Sequence, residues 1–204
     1  MNRLLILALV LAAAWSAMGK WEKRPIAHAP GILVPEAPSQ QKVPDSVFRF
    51  EDYILSRRAR FSIRARVLSA ERYWLGREAD LSPIDLALGW SVMSDEGLLA
   101  QIQVSQRGRW YYTSWQGALP VSEGQVVENS GNMHMIPSNS AIARKLKSLR
   151  PGDVVRLEGF LVDVDHPSGW RWRTSMSRAD SGAGACEIVY VEQLTRETDA
   201  FLTD

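Results

Sequence analysis

Between Arg60 and Leu68 apolar and polar residues alternate, with Phe61, Ile63, Ala65 and Val67 on one face and Ser62, Arg64 and Arg66 on the other. Period-two alternation of this kind marks a half-buried β-strand. The pattern recurs over Leu98–Ser105, and a turn at Arg107-Gly108 leads into the aromatic run Arg109–Trp115, a β-prone composition. The densest block is 150–194. There Val154–Val164 reads as a long strand interrupted at Gly159, where a bulge or bend is expected. Trp170, Trp172, Thr174 and Met176 then alternate with Arg171, Arg173, Ser175 and Ser177, and Cys186, Ile188 and Tyr190 with Glu187, Val189 and Val191.

Two segments change period. Ile142, Leu146 and Leu149 form a helical stripe over Ala141–Leu149, preceded by Ser138-Asn139-Ser140 and closed by Pro151-Gly152. Ser82-Pro83-Ile84-Asp85 reads as a second helix start, with Ser82 as cap, Pro83 at the first position and Asp85 returning a hydrogen bond. Val121–Met135 is polar and expected to be irregular.

Strands, one helix, then more strands is the order of a small closed sheet with a helix between its third and fourth strands. The fold class expected is therefore mainly β (α+β), an OB-like closed or partly open barrel, preceded by an N-terminal hydrophobic helix. That helix comes from Met1–Met18, where one basic residue precedes an apolar run. It reads as a signal peptide or transmembrane anchor over 1–19. Pro25, Pro30, Pro35, Pro38 and Pro44 make 20–45 an extended tether. The β-rich domain is placed at 46–195 and a C-terminal tail at 196–204.

Composition narrows the function. Apolar residues make up 46 % and charged residues 23 % of the 204, ordinary globular usage. The first nineteen residues hold one charge, Arg3, and without them acidic and basic residues balance. A neutral body argues against nucleic acid as a partner, because phosphate binding needs a clustered basic surface. Cys186 is the single cysteine, so no internal disulfide is available.

Four segments carry a resemblance: Ser82–Asp95 (SPIDLALGWSVMSD), Arg107–Tyr112 (RGRWYY), Asn132–Asn139 (NMHMIPSN) and Trp170–Glu192 (WRWRTSMSRADSGAGACEIVYVE). They resemble a family of uncharacterised bacterial proteins with an N-terminal hydrophobic segment. The resemblance implies a shared fold and anchor and supplies no catalytic residue. A short basic-then-apolar N-terminus is most often an export signal, so the expected place is the bacterial inner membrane, with the domain on the periplasmic side. The alternatives are a cleaved periplasmic form and a cytoplasm-facing one, the latter favoured by Lys20, Lys23 and Arg24 under the positive-inside rule.

The expected function is a membrane-tethered binding domain for an envelope protein or wall component, without a cofactor, rather than an enzyme. Aromatic and cationic groups on neighbouring strands suit such a role. They supply the candidate binding residues Trp110, Tyr112, Arg171 and Arg173, joined by His134 and by Arg178 and Asp180 of the glycine-rich bend. At least half of the strand tryptophans are expected to be buried. Two alternatives use the same chain differently: a thiol-dependent enzyme with Cys186 as nucleophile and His134 as base, or a copper protein with the soft ligands Met133, His134 and Met135.

Overall fold

The computed structural model describes residues 24–177 and 186–197 and is mainly β, with 49 % in strands. The alternating segment Arg60–Leu68 is the middle of a much longer element. β1 (Ser39–Phe50) turns at Glu51-Asp52 into β2 (Tyr53–Arg72), a strand of 20 residues. That length serves two neighbours: Ile54–Arg66 pairs antiparallel with β7 (Val154–Asp165), and Arg66–Arg72 with β3 (Ile84–Gly89). Register shifts at Arg57/Ala59 and Val67/Ser69 bend the strand so that it can do both.

A short α1 (Arg77–Leu81) joins β2 to β3. After β3 come a 3₁₀ turn (Ser91–Ser94), α2 (Glu96–Leu99), the hairpin β4 (Ile102–Arg107) and β5 (Trp110–Trp115), and α3 (Glu123–Glu128). The chain returns to the main sheet with β6 (Ser130–Pro137), then α4 (Ser140–Ser148), β7, β8 (Arg171–Trp172) and β9 (Glu187–Arg196). β3 pairs antiparallel with β6, β6 parallel with β9, and β9 antiparallel with β7. The pairings therefore lead from β2 through β3, β6, β9 and β7 back to β2, and the sheet is partly ring-like.

The interior of the ring is one apolar cluster that includes Phe61, Ile63, Leu86, Leu88, Met133, Met135, Leu157 and Val189, closed at one end by Ile142 and Leu146 of α4. Asn139 caps α4 by accepting from the amides of Ala141 and Ile142. A second cluster on the outer side gathers Leu55, Ile136, Val162, Val164 and Ile188 under Trp170 and Trp172. A third, around Met93, Leu98, Ile102 and Val126, supports the β4–β5 hairpin. The bulge expected at Gly159 is present, and a Cβ there would lie 1.9 Å from the Tyr190 carbonyl oxygen. Only glycine lets β7 and β9 approach so closely.

Several expected elements differ. Ser82–Gly89 starts no helix; Ile84–Gly89 is β3, buried at every position. A strand covered on both faces shows no alternation in its sequence, and Asp85 lies inside it instead of at a cap. Val121–Met135 is regular: a capping box at Ser122 and Gln125 starts α3, and β6 follows. The strand expected from Leu98 begins at Ile102, because Asp95 caps α2 through the amides of Gly97 and Leu98. The strand expected from Trp170 shortens to Arg171–Trp172.

The proline-rich tether is also part of the fold. β1 starts at Ser39, and Pro44 falls where its register shifts between Lys42 and Ser46 on the sheet edge, a place where a strand tolerates proline. Upstream, Val34 is fully buried, the Ile26 amide donates to the Pro151 carbonyl (2.9 Å), and His28 Nε2 lies 2.7 Å from the Gly152 carbonyl oxygen. At the other end Glu197 is held by Arg64 at 2.8 Å. The hydrophobic segment 1–19 lies outside the described residues, and among these no helix is long and apolar enough to cross a membrane.

Candidate functional site

β3 and β6 run side by side with Asp85 opposite His134, Leu86 opposite Met133 and Ala87 opposite Asn132. Successive side chains of a strand leave on opposite faces. Leu86, Met133 and Met135 therefore enter the ring, and Asp85, Asn132 and His134 stand on its outside. β6 pairs Met133 with Glu187 and His134 with Ile188 of β9, so Cys186, just before β9, follows on beside Asn132. Three adjacent strands thus place a carboxylate, an imidazole and a thiol on one outer face.

Asp85 is fully buried and His134 is 4 % exposed. His134 Nδ1 lies 2.9 Å from Asp85 Oδ2, an ion-pair contact that falls outside good hydrogen-bond alignment. The other carboxylate oxygen accepts from Arg109 Nη1 at 2.6 Å. Burial alone would lower the His134 pKa, but the Asp85 and Cys186 side chains outweigh it and push it up to about 9. The imidazole is therefore charged at neutral pH, and Asp85 stands between two cations.

The β4–β5 hairpin covers this face. Its turn places Gly108 at φ 59° and Arg109 at φ 71°, a left-handed pair that only the glycine adopts without strain. Arg109 is held there on both sides. Its amide donates to Tyr73 Oη at 2.9 Å, and its guanidinium lies 3.8 Å from the centre of the Tyr73 ring. Gln106 Nε2 donates to Asn132 Oδ1 (2.6 Å), and Tyr111 Oη is 2.5 Å from Ser130 Oγ. The Trp172 ring completes the wall, its centroid 4.6 Å from that of His134.

Cys186 is partly exposed. Asn132 Nδ2 lies 3.7 Å from its sulfur and 3.0 Å from the Arg109 carbonyl oxygen. The arrangement thus joins a partly exposed cysteine, a buried charged imidazole, and an amide fixed beside the sulfur. A thiol, an imidazole and an amide are the residue types from which covalent catalysis draws a nucleophile, an acid–base partner and an orienting group. Among the described residues no group of three or more His, Cys, Asp and Glu side chains is placed to hold a metal ion.

The expected binding residues divide among four places. Trp110 and Tyr112 occupy the solvent face of β5, 41 % and 48 % exposed, turned away from the cluster beneath. His134 lies in the cluster. Arg171 and Arg173 instead pair with Asp165, at 3.5 and 2.6 Å. Arg178 and Asp180 lie outside the described residues. Copper ligation by Met133, His134 and Met135 is contradicted by alternation, since both methionines are fully buried in the ring while His134 points out of it. The expectation of buried tryptophans also fails: Trp90 is buried, whereas Trp115, Trp170 and Trp172 are half-buried and Trp110 exposed.

Sequence reasoning found His134 and Cys186 but missed Asp85, Arg109 and Asn132. A usable signal was present. An aspartate inside the run IDLALG must find a partner once that run is a buried strand. No family model, no curated protein and no solved structure matches this chain.

Proposed function

We propose that this chain is a thiol-dependent enzyme, with Cys186 as nucleophile, His134 as its acid–base partner and Asp85 as the carboxylate that holds the imidazole charged. The observation that carries this reading is that His134 Nδ1 lies 2.9 Å from Asp85 Oδ2 on the outer face that also bears the partly exposed Cys186, and that both side chains raise the His134 pKa. The scaffold supports it as an OB-like barrel, in which β2, β3, β6, β7 and β9 are the five ring strands and α4 the helix between the third and fourth. Ligands of such barrels bind on the face of the second and third strands, here β3 and β6. The test is alkylation of Cys186 by iodoacetamide at neutral pH in the full chain. The rate in the native protein exceeds that of His134→Gln by at least roughly tenfold. Equal rates, or a thiol that reacts only after denaturation, overturn the reading.

A second reading is favoured by one observation, the exposed pair Trp110 and Tyr112 on the outer face of the hairpin. It makes this face a docking surface for an envelope protein or wall component, with the domain tethered to the membrane through 1–19 on the periplasmic side. A reporter fused at Asp204 that is active only in the cytoplasm contradicts that sidedness.

A further inference from the structure

We infer that the reaction at Cys186 is acyl transfer, and that Asn132 supplies the hydrogen bond that stabilises the tetrahedral oxyanion. The inference rests on the reading of Cys186 as a nucleophile and adds the substrate class, a carbonyl carbon bearing a leaving oxygen, sulfur or nitrogen.

The argument begins with the Asn132 amide, whose orientation is fixed on both sides. Its oxygen accepts from Gln106 Nε2 at 2.6 Å, and one N–H points to the Arg109 carbonyl oxygen at 3.0 Å. The second N–H is left facing the Cys186 sulfur, with 3.7 Å between nitrogen and sulfur. When a sulfur adds to a carbonyl carbon, the new oxyanion stands beside that sulfur. An N–H donor already fixed there meets it with little rearrangement. Asn132 is 4 % exposed, so the donor works where water is scarce and its dipole counts for more. The rest of the site fits the same chemistry. Arg109 is committed to Asp85, which leaves at the sulfur the single positive charge of His134 and the neutral Asn132 amide. A carbonyl that gains one negative charge matches that environment better than a phosphoryl group carrying several.

The steps balance. In the thiolate–imidazolium pair the sulfur attacks the carbonyl carbon, the C–S bond forms, and the carbonyl π electrons move to oxygen, where Asn132 Nδ2 donates. Collapse breaks the bond to the leaving group, which takes the His134 proton, and a thioester remains on Cys186. Water then adds to the thioester, its proton passing to His134 as the carboxylic acid leaves and the thiolate returns.

The probe is p-nitrophenyl acetate with the full chain. The expected result is a burst of nitrophenol with one acetyl group on Cys186 by intact mass, absent in Cys186→Ser. Asn132→Ala slows acylation by roughly 10²- to 10³-fold, and this loss exceeds its loss in iodoacetamide alkylation, which forms no oxyanion, by at least roughly tenfold. Gln106→Ala, which frees the amide without deleting it, slows acylation by less and keeps the test valid if Asn132→Ala does not fold. Acylation that persists in both variants, or a Cys186 that alkylates in a His134-dependent way but is never acylated, overturns the acyl-transfer inference and leaves the thiol reading standing. A Cys186 that neither alkylates nor acylates overturns both.

Discussion

The two faces of the β3–β6 ladder are made from alternating residues of the same short segments, yet they obey different rules. On the inner face Leu86, Met133 and Met135 are fully buried among other apolar side chains, and what matters there is volume. On the outer face Asp85, Asn132 and His134 are buried almost as deeply, and what matters is that each charge or amide has its partner. The inner face therefore tolerates a change of shape, and the outer face does not tolerate even an isosteric change of charge. Deep burial that looks alike by area is held by packing in one place and by electrostatic pairing in the other.

The largest expected effect follows from breaking the outer face at its centre. Asp85→Asn keeps the side-chain volume but leaves Arg109 and His134 facing each other without a carboxylate. It costs roughly 3–5 kcal/mol, the range for removing one partner of a buried ion pair, measured by urea denaturation at neutral pH. A loss below 1 kcal/mol would mean that the network is decorative.

The next effect is a pH dependence. The His134 pKa in the folded protein, about 9, lies above its ordinary value of 6.5. Its stabilisation is thus fully present below about pH 6.5 and is lost as pH rises through about 9. At about 1.4 kcal/mol per pKa unit the total is roughly 3 kcal/mol. Stability that stays flat across this window contradicts the assignment, and in Asp85→Asn the slope becomes much shallower.

On the inner face, Met133→Leu sharpens the contrast. A volume-conserving swap of this kind costs less than about 1.5 kcal/mol and leaves the pH profile unchanged. The smallest effect is expected on the outside of the hairpin. Trp110→Ala and Tyr112→Ala each alter stability by no more than about 0.5 kcal/mol, because both side chains stand in solvent. A larger loss in unfolding measurements would show that they pack.

The same contrast explains what the sequence revealed. Alternation predicted the mainly β class and the strands with one wet face, such as Arg60–Leu68 within β2 and the β4–β5 hairpin. The helical stripe of Ile142 and Leu146 predicted α4, and Gly159 predicted its bulge. β3 was misread because both of its faces are covered, so its residues carry no polar beat. β6 was hidden for a related reason. Asn132 and His134 suggested a loop, but the hairpin and Trp172 cover them. Two chemistry-bearing residues of the site, Cys186 and His134, were legible. The other three, Asp85, Arg109 and Asn132, became visible only when β3 met β6 and the hairpin folded over them.

The central claim is that His134 is charged because the Asp85 carboxylate and the Cys186 side chain both favour its protonated form. Its most direct test is an NMR titration of the His134 ring in the native chain, in Cys186→Ser and in Asp85→Asn. The account predicts a native midpoint near 9, lowered in each variant. A native midpoint near 6.5, or one that Cys186→Ser leaves unmoved, would contradict it.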